Sequence, residues 1–372
     1  MKLRLVLIIT LQLLSGNMAQ ALQADTPPQG VVNSGSAPLR LRAGPGLDFS
    51  VLALLSNGTA LIITARSADS SWLQVQTNGP EQSGWVYRTY ITTSADLAAL
   101  PIERRPLSFA RLISGISDHT RRIYRRGQAL GNHADVFAKI GDSITVSQHM
   151  FHPIGEGLYN IRGYPGLQPV IDYFSRTPVG SGDSFTRNSV AAGVGWNAAA
   201  VLLSKFADRT QCQPAEIPLI CEYRLIQPAF ALIMLGTNDT GYVPTSTYRH
   251  NLERIIQISV DHGVVPVLST IPPRRGYEDT VQAFNQIIRE VAQEADIPLW
   301  DYHAAMVVYP QTSLTLDGVH PSLPPRGHDD AANFADDNLP YGYVLRNLSA
   351  LYVLDALRQQ IVIPAQDQVS GS

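Results

Sequence analysis

From residue 133 onward the chain alternates short apolar runs with helical stretches, and this alternation restricts the fold more than any other feature. Val136 to Ile140 ends at Gly141, and Ala229 to Leu235, the best buried strand, ends at Gly236. Val264 to Leu268 follows a helical stretch from Thr247 to His262, and Ile297 to Trp300 follows another from Thr280 to Ala295. Ser189 to Ala192 is a weaker strand candidate that also runs into a glycine, and Val344 to Ile361 is helical by period. Strands joined by helices rather than by hairpins run parallel, with helices covering both faces of the sheet. The stretch 148–185 is rich in Gly, Pro and Tyr and reads as mostly irregular. In sheets of this kind reactive groups gather beyond the carboxyl ends of the strands.

Three segments carry chemistry. Gly141-Asp142-Ser143-Ile144-Thr145 and Gly236-Thr237-Asn238-Asp239 each follow a strand directly, and Asp317-Gly318-Val319-His320 lies further on. A serine hydroxyl is a weak nucleophile that needs a base for its proton and fixed donors for the oxyanion that forms. Taken singly, Asp142 or Ser143 reads first as a helix cap, Asn238 as an Asx turn and Asp317 with His320 as a surface ion pair or cap. Taken together they supply a nucleophile, an amide donor and an imidazole. The carboxylate three residues before that imidazole can hold Nδ1–H and leave Nε2 for the serine. His149 and His152 follow Ser143 closely and are candidates to line the site. No acidic cluster supports a metal there. His303, after Trp300-Asp301, reads as structural.

At these residues the chain resembles the SGNH, or GDSL-type, hydrolases. Gly141-Asp142-Ser143 matches that family's first block, Gly236-Thr237-Asn238-Asp239 its third and Asp317-Gly318-Val319-His320 its fifth. The resemblance implies a flavodoxin-like three-layer α/β/α domain over residues 133–363 and a serine esterase that uses no metal or cofactor. It makes Ser143 the nucleophile, His320 the base and Asp317 its partner. The Ser143 N–H and the Asn238 amide become two arms of an oxyanion hole. The third arm, a glycine N–H, is best matched by Gly193 within Ala191-Ala192-Gly193-Val194-Gly195, with Gly195 as the alternative. The expected substrate is an acylated small molecule or glycan, acetyl esters foremost. A lipase or lysophospholipase is the enzymatic rival, and a wall-binding protein with an inactive hydrolase fold is the rival of another class.

The amino-terminal part reads differently. Lys2 and Arg4 precede an apolar run to Leu14, and Ala19-Gln20-Ala21 supplies small residues, the pattern of a secretory signal peptide over 1–21. An uncleaved anchor is the alternative, although the run is shorter than the roughly 20 residues a spanning helix needs. Residues 22–36 read as a Gln/Pro/Gly/Ser-rich linker. Brief strands then recur at Leu39–Arg42, Val51–Leu55, Thr59–Thr64, Trp72–Gln76 and Gly84–Tyr87, broken at Ala43-Gly44-Pro45-Gly46, Asn57-Gly58 and Asn78-Gly79, which predicts a small β-barrel. Leu41-Arg42-Ala43-Gly44-Pro45-Gly46, Trp72-Leu73-Gln74-Val75, Gly84-Trp85-Val86 and Tyr90-Ile91 resemble a bacterial SH3-like domain over 37–94. That resemblance implies a module for cell-wall peptides or glycans. The plain alternative is a spacer in which Trp72 and Trp85 are core. Residues 95–132 read as a linker containing a basic helix, Arg111 to Gly127, whose Arg121-Arg122-Ile123-Tyr124-Arg125-Arg126 is a solvated face or a contact for anionic wall polymers.

Bulk properties exclude several classes. Hydrophobic residues are 45% and charged residues 16%, a globular balance, and the net charge of −3 gives no electrostatic case for nucleic acid. After the first segment no stretch is apolar enough to suggest an integral membrane protein. The two cysteines, Cys212 and Cys221, flank a Pro-containing loop. In an exported chain they suggest a disulfide, with free thiols as the alternative. The expected location is extracellular or in the cell envelope.

Overall fold

A computed structural model describes residues 27–42, 45, 51–67, 70–77, 83–101 and 109–370. The expected signal peptide, the start of the expected linker, Ala43, Gly44, Gly46 and Asn78-Gly79 lie outside the described residues. The chain divides into two compact units, 1–103 and 104–372.

The first unit is all antiparallel. Its strands are β1 (Gln29–Val32), β2 (Leu39–Arg42), β3 (Val51–Leu55), β4 (Ala60–Arg66), β5 (Trp72–Thr77), β6 (Ser83–Tyr87) and β7 (Ile91–Thr92). They form one sheet in the order β3-β2-β6-β5-β4-β1-β7. Alternation along the strands places Leu41, Leu61, Ile63, Leu73, Val75 and Val86 in a common core. Trp72 and Trp85 are both buried. The expected linker 22–36 needs correction, because β1 falls inside it. Val32 is buried, and β1 pairs with β4 and β7, so its backbone groups are satisfied by the sheet rather than by water.

The second unit is α/β. It begins with β8 (Ile113–Ser114), α1 (Asp118–Ala129), β9 (His133–Gly141), α2 (Ser143–Val146), α3 (His152–Gly155), β10 (Tyr159–Asn160), α4 (Gln168–Phe174) and α5 (Pro218–Ile226). It continues with β11 (Pro228–Met234), α6 (Thr245–Asp261), β12 (Val265–Ser269), α7 (Glu278–Glu294), β13 (Leu299–Trp300), α8 (Tyr302–Met306), β14 (Ala332–Asn333) and α9 (Gly342–Leu357). The main sheet runs β8-β13-β12-β11-β9, with β9, β11, β12 and β13 parallel and β8 antiparallel at one edge. β11 is buried at every position, as a central strand covered by helices must be. Phe230 stacks on Tyr124 of α1 and meets Phe174 of α4 edge-on. Elsewhere α5, α6 and α7 hold together through Tyr223 to Ser259 and Tyr248 against Phe284. This is the three-layer α/β/α arrangement.

Three expectations change. The helix expected from Arg111 starts at Asp118, where Ser117 caps it by accepting from the Thr120 N–H. The residues before it form the edge strand β8, and Leu112, Ile123 and Tyr124 belong to the hydrophobic core of the second unit. The segment 109–132 is therefore part of that unit rather than a linker. Ser189 to Ala192 makes no strand, only one parallel bridge between Ala192 and Gly141. The region 148–185 is mostly irregular, as expected, and includes α4, with Val170, Ile171 and Phe174 turned into the core. Truncating the central aromatic contact with Phe230→Ala should cost about 3–5 kcal/mol, measured as a drop in the urea-unfolding free energy of the second unit.

Candidate active site

The turn that carries Ser143 is built by a cap. β9 ends at Gly141, and Asp142 accepts the Ile144 N–H at 3.0 Å as the N-cap of α2. Ser143 is thus the first residue of a helix whose leading N–H groups have no partner within the helix. Asp142 is the residue that caps, which leaves the Ser143 side chain free to reach outward. Its hydroxyl lies 2.9 Å from Nε2 of His320.

His320 is oriented from behind. Its Nδ1 is 2.7 Å from Oδ2 of Asp317, so with the proton on Nδ1 the free Nε2 accepts from the Ser143 hydroxyl. Asp317 Oδ1 accepts from the Thr315 hydroxyl at 2.5 Å, from Val319 N–H at 2.8 Å and from His320 N–H at 3.0 Å. Partial burial alone would raise the Asp317 pKa. The hydrogen bonds from Thr315, His320 and Val319 outweigh it and hold the carboxyl well below the usual carboxylate range. Asp317 is therefore a fixed negative partner for the ring. Both side chains remain accessible, 41% for His320 and 49% for Asp317.

Asn238 leaves β11, the strand paired with β9. The turn there needs glycine. Gly236 has φ +132°, and a Cβ on it would lie 2.6 Å from the Tyr248 hydroxyl. One N–H of the Asn238 amide donates to the Trp196 carbonyl at 3.0 Å, which fixes the amide plane and leaves its second N–H. Asp239 beside it accepts the Ala198 N–H at 3.0 Å. The loop of the second block is thus tied to the loop of the third.

Gly193 needs correction. Its N–H donates to the Gly141 carbonyl at 3.2 Å, because the single Gly141–Ala192 bridge extends the parallel pattern by one rung and uses that N–H. Gly195, the alternative, lies two residues on with an exposed backbone. His149 packs against the Tyr343 ring at 5.5 Å, and burial lowers its pKa. His152 lies 3.9 Å from Glu156, and burial lowers its pKa also. His303 is pushed down to about 4 by burial. None of the three enters the Ser143–His320–Asp317 chain. Cys212 and Cys221 are joined in a disulfide. With Glu216 they form the only group of three ligating residues within 4.8 Å among the described residues, and both sulfurs are spent on the bond. The sequence reading missed Thr315 and Trp196, whose contributions are a hydroxyl and a main-chain carbonyl with no motif signature.

The GDSL-like lipase/acylhydrolase family model matches residues 140–328, a span that includes all three blocks. The chain belongs to the GDSL-like lipase/acylhydrolase family. It is a serine ester hydrolase, and a bacterial SH3 domain model matches residues 37–92 of its first unit. No curated protein matches this acylhydrolase. Among solved structures it is similar to a lipase/acylhydrolase from Enterococcus faecalis, with 20% identity, TM-score 0.37, and coverage of 60% of this chain and 96% of the other. A carbohydrate esterase family 3 protein from Talaromyces cellulolyticus gives 17% identity, TM-score 0.38, and coverage of 59% and 97%. A psychrotrophic esterase from Pseudoalteromonas sp. gives 15% identity, TM-score 0.38, and coverage of 60% and 97%.

Beneath the site of this acylhydrolase, Asp239 is fully buried. Burial and the neighbouring Asp142 push its pKa up to about 7, against the pull of the Ala198 N–H. Between about pH 4 and pH 7 the folded chain holds a proton that the unfolded chain has lost. This contribution to stability is complete below about pH 4 and lost as pH rises through about 7. Asp239→Asn keeps an acceptor for Ala198 and removes the titration. Its urea midpoint should change less than that of the wild type between about pH 5 and 8. The slope is reduced rather than abolished, since burial also raises Asp142.

Proposed function

We propose that the chain is an exported serine esterase that removes acyl groups, acetyl foremost, from a glycan or other envelope polymer. In this reading Ser143 is the nucleophile, His320 the base and Asp317 its orienting partner. The observation that carries it is the unbroken hydrogen-bond chain Ser143 Oγ to His320 Nε2 to Asp317, at 2.9 and 2.7 Å. The domain limits follow as a signal segment, an SH3-like unit and a hydrolase unit that starts near residue 109.

His320 takes the Ser143 proton as the hydroxyl attacks the ester carbonyl. The oxyanion is held by the Ser143 N–H and the second N–H of Asn238, and Gly193 joins them only if it releases the Gly141 carbonyl. His320 then protonates the departing alcohol, and water, deprotonated by the same ring, frees the acid from Ser143. Asp317 stabilises the imidazolium formed on the way. Asn238→Ala should lower kcat by about 10²–10³.

The half-exposed His320 and Asp317 support a polymer-borne ester as substrate, since the reacting groups stand where a bulky alcohol can approach. The first unit supports a targeting role. It holds a cavity of about 880 Å³ whose lining includes the exposed Tyr87 and Tyr90, with Arg40, side chains suited to stacking on sugar rings and to meeting an anionic group. Among the described residues no helix is long and apolar enough to cross a membrane.

Purified mature protein should hydrolyse acetyl esters faster than long-chain esters and release acetate from an acetylated polysaccharide. Ser143→Ala should be inert, and a fluorophosphonate should label the wild type alone. Faster turnover of long acyl chains points instead to a lipase, and retained turnover in Ser143→Ala removes this nucleophile.

A further inference from the structure

We infer that two consecutive arginines, Arg274 and Arg275, form a clamp that fixes the oxyanion donor loop and the turn of the catalytic base relative to each other. The inference rests on the serine-esterase reading above.

The base turn has little regular structure to hold it. Between α8 and α9 the chain is mostly loop, and the turn is closed on itself by Thr315 N–H to the His320 carbonyl and Gly318 N–H to the Thr315 carbonyl. Its tip is gripped from outside by one residue. The Arg275 N–H donates to the Gly318 carbonyl at 2.8 Å, and its guanidinium donates to the Leu316 carbonyl at 3.1 Å. The stem of Arg275 also lies against Gly318. A Cβ at Gly318 would sit 2.6 Å from Arg275 Cβ, and the glycine has φ +71°. These contacts bracket Asp317 on both sides.

Arg274 grips the other loop. Its guanidinium donates to the Thr237 carbonyl at 2.8 Å, to the Thr240 carbonyl at 3.1 Å and to the Thr240 hydroxyl at 2.6 Å. It is also stacked over the Tyr277 ring at 4.1 Å. Thr237 and Thr240 flank Asn238 and Asp239. The dipeptide opens a turn closed by the Tyr277 N–H donating to the Arg274 carbonyl at 3.1 Å, and its two side chains reach the two loops.

Asn238 is placed by the strand β11, but His320 is separated from Ser143 by 177 residues and arrives on a loop. Fixing both loops to one rigid dipeptide preorganises base and oxyanion donor together. Both arginines are thus positioning residues, and their loss should slow the chemical step rather than weaken binding of a small ester. Displacement on the ångström scale costs about 10²-fold in rate.

The test compares wild type, Ser143→Ala, and the Ala and Lys variants at 274 and 275. The readouts are kcat and KM for p-nitrophenyl acetate, the rate of fluorophosphonate labelling, and thermal unfolding. Arg274→Ala and Arg275→Ala should each lower kcat and the labelling rate by about 10- to 100-fold with KM nearly unchanged. Arg275→Lys should recover most of the loss, because one side-chain bond to one carbonyl suits an ammonium. Arg274→Lys should not, because its three acceptors are met from one nitrogen that the flat stacking of the guanidinium on the Tyr277 ring aims, and an ammonium loses that stacking. A folded Ala variant with wild-type kcat overturns the clamp, and so does a fall in kcat that only tracks the fraction unfolded. If an Ala variant does not fold, the Lys pair decides: wild-type kcat in a folded Arg274→Lys overturns the clamp. Wild type no more active than Ser143→Ala defeats the serine-esterase reading itself, a result separate from any of these.

Discussion

The register between β9 and β11 is the constraint on which the site depends. Parallel pairing sets Gly141 beside Met234, so the two strands end level and the loops that follow them leave the sheet side by side. Ser143 stands two residues past the first end and Asn238 four past the second. A register slip of one residue would exchange the faces of every side chain on a strand, sending Phe230 away from Tyr124 and Phe174. The core that buries β11 on both sides therefore fixes the site as well as the fold. The geometry at the strand ends follows from hydrophobic packing far from any reacting group.

Near the carboxyl ends of these strands lie several buried ionisable groups. Asp142, Asp239, Lys139 and Arg346 are all buried. The Arg346 guanidinium donates to the Thr145 hydroxyl at 3.2 Å and lies about 5 Å from the Trp300 and Tyr302 rings. Lys139 donates to the Phe185 carbonyl at 2.6 Å, and burial lowers its pKa to about 7. Each of these groups is costly to desolvate, and each is held by hydrogen bonds or ring faces rather than left bare. They stiffen the ground beneath α2. Asp142 is the clearest instance, since the carboxylate that caps the helix also shapes the turn presenting Ser143.

Much of the second unit was legible because its signals are local. The runs at 229–235 and 264–268 and the periodic stretches at 247–262 and 280–295 became β11, β12, α6 and α7 to within two residues. Gly-Asp-Ser, Gly-Thr-Asn-Asp and Asp-Gly-Val-His carry the chemistry in their residue types. The failures fell where a segment's state depends on distant partners. Gln29 to Val32 looked like linker because the stretch around it is rich in Gln, Pro, Gly and Ser, yet the edge offered by β4 makes it a strand. Arg111 to Ser117 looked helical because its apolar spacing permits it, yet β13 draws Ile113 and Ser114 into the sheet.

The amino-acid order alone determined that the second part is a parallel α/β unit with a serine, an imidazole and a carboxylate available to it, since periodicity and residue type are properties of neighbours in the chain. Which N–H groups are free was decided only by the tertiary structure. Gly193 gives its N–H to Gly141 through a bridge that no local pattern announces, and Arg274 and Arg275 meet loops some forty residues away on either side. A hydrogen bond between main-chain groups carries no side-chain signature, so its partners become known only when the chain has closed upon itself.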